Sequence, residues 1–165
     1  MRYGVFKSNM DRHIIGVIAD THGLIRPEAL EVFKDSELIV HAGDIGKPQV
    51  LEKLGTIAPI IAVRGNTDRG EWAQALPKFE VIEVSQNLLY VIHDFKDLDL
   101  DPVAKGFDAV ISGHSHQPSI QSHKGVLLLN PGSAGPRRFN LPVSVALIYV
   151  KDRILEPRII ELKVG

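Results

Sequence analysis

Ile14-Ile15-Gly16-Val17-Ile18-Ala19-Asp20-Thr21-His22-Gly23 is an apolar run rich in β-branched residues that stops abruptly in a polar cluster. Such a run is typical of a strand covered on both faces, as in a parallel sheet, and the polar residues mark its exit into a loop. Outward from it the same unit repeats. Pro27 suits the first position of a helix, and Ala29, Leu30 and Phe33 follow at helical spacing. Residues 38–40 read as the next strand, broken by His41-Ala42-Gly43-Asp44. Pro48 opens a second helix with Val50, Leu51 and Leu54 on one face and Gly55 as its stop. Residues 60–63 then run as a strand into Arg64-Gly65-Asn66-Thr67-Asp68. Strand, polar loop and helix in repetition predict parallel strands joined by helical crossovers.

The second half changes period. Residues 79–84 and 88–92 flank Ser85-Gln86-Asn87 as a hairpin, and its later strand ends at His93. A short helix is expected around 102–105, ahead of a strand at 109–111 that ends in Gly113-His114-Ser115-His116. Residues 119–122, 126–129, 143–150 and 154–162 read as mainly antiparallel strands, with turns at Lys124-Gly125 and Lys151-Asp152. The expected class is mixed α/β, with two packed sheets and helices outside them.

A chain of 165 residues is one core's worth, so residues 1–165 are expected to form a single domain, with 1–12 as a flexible extension. No apolar core follows the charges of the N-terminus, and stretches such as 126–129 and 145–150 are far too short for a bilayer. A soluble, cytoplasmic protein without a membrane partner is expected. Nineteen Lys and Arg against 20 Asp and Glu leave a net charge of −1, which gives no global attraction to nucleic acid. Zero cysteines exclude disulfides, thiolate metal sites and a cysteine nucleophile, so any metal here binds to the imidazoles of the seven histidines, to carboxylates or to amides.

Five apolar strands run directly into polar clusters: Asp20 with His22, Asp44, Asn66 with Asp68, His93, and His114 with His116. Ligands of open α/β sheets bind beyond the carboxyl ends of parallel strands, so the clusters are expected to converge on one edge. Singly, each has a plain structural explanation. Together, Asp20, His22, Asp44, Asn66, His93, His114 and His116 offer four imidazoles, two carboxylates and an amide oxygen, a donor set for two divalent ions. If one carboxylate bridges, each ion receives about four protein ligands and keeps positions for water and substrate. Asp44, alone at its strand end, is the expected bridge. Two cations about 3.5–4 Å apart acidify a shared water and clamp both oxygens of an in-line displacement at phosphorus, which points to a phosphoester substrate.

In this order, D-x-H at Asp20 and His22, G-D at Gly43 and Asp44, G-N-x-D at Gly65, Asn66 and Asp68, a lone His93, and G-H-x-H at Gly113, His114 and His116 resemble the calcineurin-like metallophosphoesterases. Within them, the compact length and Asn130-Pro131-Gly132-Ser133 resemble the small bacterial and archaeal phosphodiesterases, a branch that includes the eukaryotic retromer subunit. The resemblance covers residues 14–149. It implies a four-layer α-β-β-α sandwich, two mixed sheets flanked by helices, with a dinuclear site at the strands' C-terminal ends. Asp20, His22, Asp44 and His116 would hold one ion, and Asp44, Asn66, His93 and His114 the other. The implied activity is hydrolysis of a small phosphodiester by a hydroxide shared between the ions. Asp44 would hold the ions together, while Asn66 and His114 stabilise charge on the phosphoryl oxygens. Manganese is the expected metal, with iron, nickel and zinc also suited to this donor set.

Two positions depart from the pattern. Asp94 follows His93 where the family usually has Gly, and its carboxylate either repels an anionic substrate or supports a metal ligand from behind. Thr67 stands where related phosphatases often carry a His that protonates the leaving group, so substrates whose leaving group needs little protonation are expected.

Among the remaining polar residues, Asp68 is expected to orient a loop or a metal ligand without itself binding metal. Arg137 and Arg138 are candidates for a substrate phosphate, although a solvated pair is the simpler reading. His41 is expected to pack at a strand end, with orientation of Asp44 as the lesser option, His13 and His123 to lie on the surface, and Trp72, in the loop 70–76, to cap a site or an interface. Ser133 lacks the strand-to-helix setting of a nucleophile.

Two other functions compete with a phosphodiesterase. An interaction scaffold on the same fold needs none of the seven donors, yet all are present. A nuclease is disfavoured by the charge balance and by only six Phe, one Trp and three Tyr. Nothing in the sequence fixes the oligomeric state; a homodimer is compatible with it.

Overall fold

The computed structural model describes residues 2–3 and 12–164. The extension expected over 1–12 thus falls almost wholly outside the described residues. In chain order the strands are β1 (Arg2–Tyr3), β2 (His13–Ile18), β3 (Leu38–His41), β4 (Ile60–Ala62), β5 (Phe79–Val84), β6 (Asn87–Ile92), β7 (Ala109–Ile111), β8 (Ser119–His123), β9 (Val126–Asn130), β10 (Ser144–Lys151) and β11 (Ile154–Glu161). The helices are α1 (Pro27–Val32), α2 (Pro48–Gly55) and α3 (Glu71–Gln74). Most strand ends lie within one residue of the sequence reading, as fraying ends do.

Two mixed sheets form. One has the order β11-β10-β2-β3-β4 and the other β1-β5-β6-β7-β9-β8. In the first, β2, β3 and β4 are parallel and β10 is antiparallel to β2. In the second, β6, β7 and β9 are parallel, flanked by the antiparallel β5 and β8. The sheets pack face to face over alternate residues of each strand: Ile15 and Val17, Leu38 and Val40, Leu89 and Val91, Ile111 and Ile148 form one buried core. Period-two alternation then sends Ile18 and Ile39 outward, where α1 and α2 bury Ala29, Phe33, Val50 and Leu54 against them. Gly16 sits on that outer face because the Phe33 ring lies over it: a Cβ at Gly16 would stand 2.6 Å from the ring.

The opposite outer layer is thinner. Tyr90, Ile92, Val110 and Val126 are covered by Leu98, Leu100, Val103 and Phe107, which lie on a 3₁₀ turn (Phe95–Asp97) and the turns after it. The helix expected around 102–105 is absent. The Lys105 amide bonds back to the Asp101 carbonyl in one helical turn, after which Gly106, at φ +79°, reverses the chain.

Two further expectations are corrected. Trp72 lies on the short helix α3 instead of in a loop, and packs half-buried against the outer core that Ala29, Phe33, Val50 and Leu54 share. His13 is buried at the start of β2, with its ring paired to Glu37. His123 is exposed, as expected. No helix among the described residues is long and apolar enough to cross a membrane.

Because Phe33 is fully buried and joins α1 to β2, Phe33→Ala should lower the unfolding free energy by about 3–5 kcal/mol in urea titrations. A loss under about 1 kcal/mol would show that the outer layer does not depend on this ring.

Candidate metal centre

The C-terminal ends of β2, β3 and β4 on one sheet and of β6 and β7 on the other open onto the same seam, and the loops that leave them carry all five polar clusters. The ligand atoms of Asp20, His22 and His116 lie within 4.8 Å of one another, and so do those of Asp44, His93 and His114. Asp44 Oδ2 joins the two groups, at 3.4 Å from His93 Nε2 and 3.8 Å from His22 Nε2. Asn66 Oδ1 faces the second group, 2.9 Å from His93 Nε2 and 3.2 Å from His114 Nδ1. All seven side chains singled out in the sequence therefore meet at one place. Asp20, Asp44, His93 and His116 are buried, while Asn66 and His114 are exposed at the mouth.

The backbone is bent to achieve this. Asp20 (φ 56°), His22 (φ 49°), Asp44 (φ 55°), His114 (φ 71°) and His116 (φ 64°) all adopt left-handed conformations that non-glycine residues rarely visit. Such strain persists where the surroundings over-determine it, which is common at functional sites. The Gly of G-N-x-D is required by contact, since a Cβ at Gly65 would stand 2.1 Å from Asp44 Oδ1.

The electrostatics favour bound positive charge. Burial pushes the Asp20 carboxyl up to about 7, against the pull of His93, and its Oδ1 has no hydrogen-bond partner among the described residues. Burial would also raise Asp44, but the His93 ring and the Thr67 amide, 3.0 Å from Oδ1, together hold it well below the usual carboxylate range. Burial lowers His93, yet its hydrogen bond to Asp44 and the Asp44 charge outweigh that and raise it overall. His93 Nδ1 donates to the Ala42 carbonyl at 2.7 Å, which leaves Nε2 to face Asp44 and Asn66. Burial, Arg138 and His22 push His116 down to about 4, so its ring is neutral at pH 7 with a lone pair to offer. His22 Nε2 and His116 Nε2 approach to 3.4 Å, a pairing of ring nitrogens that a shared cation would relieve. Two carboxylates, four imidazoles and an amide oxygen, with an orphaned carboxylate oxygen inside the cluster, fit divalent metal ions.

Surrounding residues hold the loops. Asp68 accepts from the Gly46 amide at 2.9 Å and the Gly65 amide at 2.8 Å, tying the β3 and β4 loops together. Asn130 donates to the Gly113 carbonyl at 2.9 Å and to Ser115 Oγ at 3.0 Å, which fixes the G-H-x-H turn. Asp94 Oδ2 lies 3.5 Å from His114 Nε2, and its Oδ1 accepts from the Lys96 amide. Arg137 and Arg138 flank a cavity of about 210 Å³ beside His22 and His116.

His41 does more than pack at a strand end. Its Nδ1 accepts from the Gly43 amide at 3.2 Å, so Nε2 carries the proton and donates to Thr21 Oγ1 at 2.9 Å, whose own hydroxyl donates to the Ile45 carbonyl at 2.8 Å. This chain links the Asp20 loop to the Asp44 loop. The sequence held only a weak signal for it, a His two residues before the Gly of G-D.

The family model for the calcineurin-like phosphoesterase superfamily domain matches residues 14–153. The chain belongs to the calcineurin-like phosphoesterase superfamily. A probable metallophosphoesterase of Methanothermobacter thermautotrophicus is 38% identical over 159 residues, covering 89% of this chain and 91% of that protein. Among solved structures, an archaeal phosphodiesterase superposes with a TM-score of 0.74 at 23% identity, covering 89% of this chain and 99% of that one. Vacuolar protein sorting 29 of Cryptosporidium parvum gives a TM-score of 0.74 at 16% identity, over 93% and 99% of the two chains. These likenesses confirm the calcineurin-like sandwich. As in other calcineurin-like phosphoesterases, divalent metals are the cofactors, and the two groups of donors are the candidate ligands.

Burial pushes the His41 ring down to about 3, so the folded protein keeps it neutral where the unfolded chain takes up a proton near the ordinary 6.5. Its contribution to stability is complete above about 6.5 and drains away as pH falls towards 3. His41→Gln should therefore flatten the fall in unfolding free energy between pH 6.5 and 4 by up to about 1.4 kcal/mol per pH unit. Equal slopes in urea titrations of the two proteins would refute the neutral, buried assignment.

Proposed function

We propose that this protein is a dinuclear-metal phosphodiesterase that hydrolyses a small phosphodiester. The observation that carries the reading is the position of Asp44, whose Oδ2 lies within 4 Å of an imidazole from each donor group. Asp20, His22, Asp44 and His116 would hold one ion, and Asp44, Asn66, His93 and His114 the other. Bound there, two divalent cations supply the acidified water and the charge neutralisation that attack at phosphorus needs. The protein's own residues do the rest. Asp44 keeps the two positions together. Asn66 and His114, the most exposed of the set, face an arriving phosphate and stabilise charge on its oxygens.

His114 Nδ1 faces Asn66 and its Nε2 faces Asp94, an imidazole held between a metal position and a carboxylate. Asp94 is thus a positioning residue for His114. Arg137 and Arg138 stand ready for a phosphate oxygen on the His22 side. The side chain at the third position of G-N-x-D is Thr67, which has no proton to give a leaving group at neutral pH. Activated diesters are therefore the preferred substrates, and manganese is the preferred metal.

The fold is shared with vacuolar protein sorting 29, and an interaction scaffold is the alternative. A complete donor set brought together at the cost of five left-handed backbones favours hydrolysis.

Protein stripped with a chelator and reloaded with manganese should turn over bis(4-nitrophenyl) phosphate, and more slowly a simple alkyl monoester, while the stripped protein is inactive. Asp44→Asn should lower kcat/KM at least about a hundredfold with an unchanged circular-dichroism spectrum. No turnover with any divalent ion would overturn the reading, and full activity in Asp44→Asn would remove the bridge. Asp94→Gly should weaken manganese affinity by about 10–100-fold in calorimetric titrations, and unchanged affinity would free His114 of this support.

A further inference from the structure

Beside the His93 and His114 group lies an open cleft of about 680 Å³ whose walls differ sharply in chemistry. Its floor is aromatic. Phe79 begins β5 directly opposite Ile92, the residue before His93, and so stands one strand away from the candidate metal ligands. Its ring stacks on Tyr90 at 5.4 Å and 12°, and Tyr90 in turn meets the edge of Phe107 at 5.2 Å and 75°. Tyr90 is buried, but Phe79 is 50% exposed, a large apolar side chain held rigid from behind and left open in front. Arg64 and Lys78 line the cleft together with Asn66, and so do Asp97 and Asp99. Burial and the Asp99 carboxylate together raise the Tyr90 hydroxyl, which keeps it protonated.

An aromatic platform beside the proposed phosphate position, in a cleft that carboxylates also line, suits one kind of group: a planar ring whose edge donates hydrogen bonds. A second phosphate is disfavoured by Asp97 and Asp99, and a purely aliphatic group gains nothing from a flat, stacked face. We propose that this cleft is a subsite for the aromatic substituent of the phosphodiester, with Phe79 as its stacking platform, and that the substituent has the chemistry of an amino-bearing nucleobase. The inference rests on the phosphodiesterase reading above and names the substrate class of that site. It places the phosphate at the seam, the sugar beside Arg64 and Lys78, and the base over Phe79. A small nucleotide diester whose other arm is a good leaving group fits this arrangement, the preference for activated esters, and a protein with no global positive charge.

The test compares ligands that share a head group, by calorimetric titration of the manganese-loaded protein. Adenosine 5′-monophosphate, a product of diester cleavage, should bind about tenfold more tightly than ribose 5-phosphate. Phenylphosphonate against methylphosphonate separates stacking of any aryl ring from recognition of the base: a gap for the phenyl pair alone would overturn the nucleobase assignment. Phe79→Ala and Phe79→Leu should close the adenosine gap without changing ribose 5-phosphate affinity, and Phe79→Trp should keep it open. Equal affinities in the unmodified protein, or a gap that survives in Phe79→Ala, would overturn the subsite while leaving the phosphodiesterase reading in place. Failure of every probe to bind, together with no diester turnover, would overturn both.

Discussion

A carboxylate buried without a hydrogen-bond partner on one of its oxygens is the constraint around which this molecule is arranged. Asp20 is fully buried at the end of the central strand β2, where the two sheets meet, and burial drives its carboxyl up to about 7. An isolated charge in such a place costs several kcal/mol unless something positive faces it. What faces it are imidazoles, His116 at 3.6 Å and His93 at 4.0 Å, delivered from the other sheet. The sandwich therefore brings charges of opposite preference to a common seam, and its apolar interior ends where that seam begins. A divalent cation at this point satisfies Asp20 and frees the imidazoles from sharing protons.

The loops meet this requirement by giving up backbone comfort. Left-handed conformations at non-glycine residues cost of order 1 kcal/mol or more each, and five candidate ligands adopt them. The glycines beside them do a different task. Gly65 lets the β4 loop approach the Asp44 carboxylate, and Gly43, at φ +99°, lies so close to the His93 ring that a Cβ there would stand 2.6 Å from Nδ1. Hydrogen bonds then hold the arrangement: Asp68 ties the β3 and β4 loops, His41 and Thr21 tie the β2 and β3 loops, and Asn130 from β9 holds the β7 loop. Preorganised charge of this kind is what a phosphoester site acts by.

Much of this was legible in the sequence because it depends on local order. A β-branched run that stops at Asp20-Thr21-His22 announces both a buried strand and its polar exit, and five such exits in a row betray a shared edge. The parts that were not legible depend on contacts far apart in the chain. His13 looks like a surface residue until Glu37, 24 positions later, is folded against it. Residues 102–105 have the composition of a helix start, yet Gly106 and the need to lay Val103 and Phe107 over Tyr90 limit them to a turn. Trp72 reads as a loop aromatic because α3 is a single turn, too short for any periodicity to show. Phe79 gives no signal at all in sequence, since only the register that sets it opposite Ile92 places it beside the candidate metal ligands.

The near-zero net charge conceals a strong local asymmetry around the site. Arg137 and Arg138 border the His22 and His116 side, and Arg138 alone is near enough to pull both Asp20 and His116 towards lower pKa. Asp68, Asp94, Asp97 and Asp99 border the His93 and His114 side, offset in part by Arg64 and Lys78. At physiological ionic strength such fields reach only about 8 Å, so they act on a ligand already at the mouth and leave its long-range approach unsteered. A phosphodiester carries a single negative charge and two different arms. Such an asymmetry would draw its charged centre towards the arginines and leave the acidic residues to an arm that is neutral and rich in donors. A duplex, with charge at every step along its backbone, would have to lay phosphates against those acidic residues. On the proposed reading, the same uneven field would admit a small diester in one orientation and work against a polynucleotide.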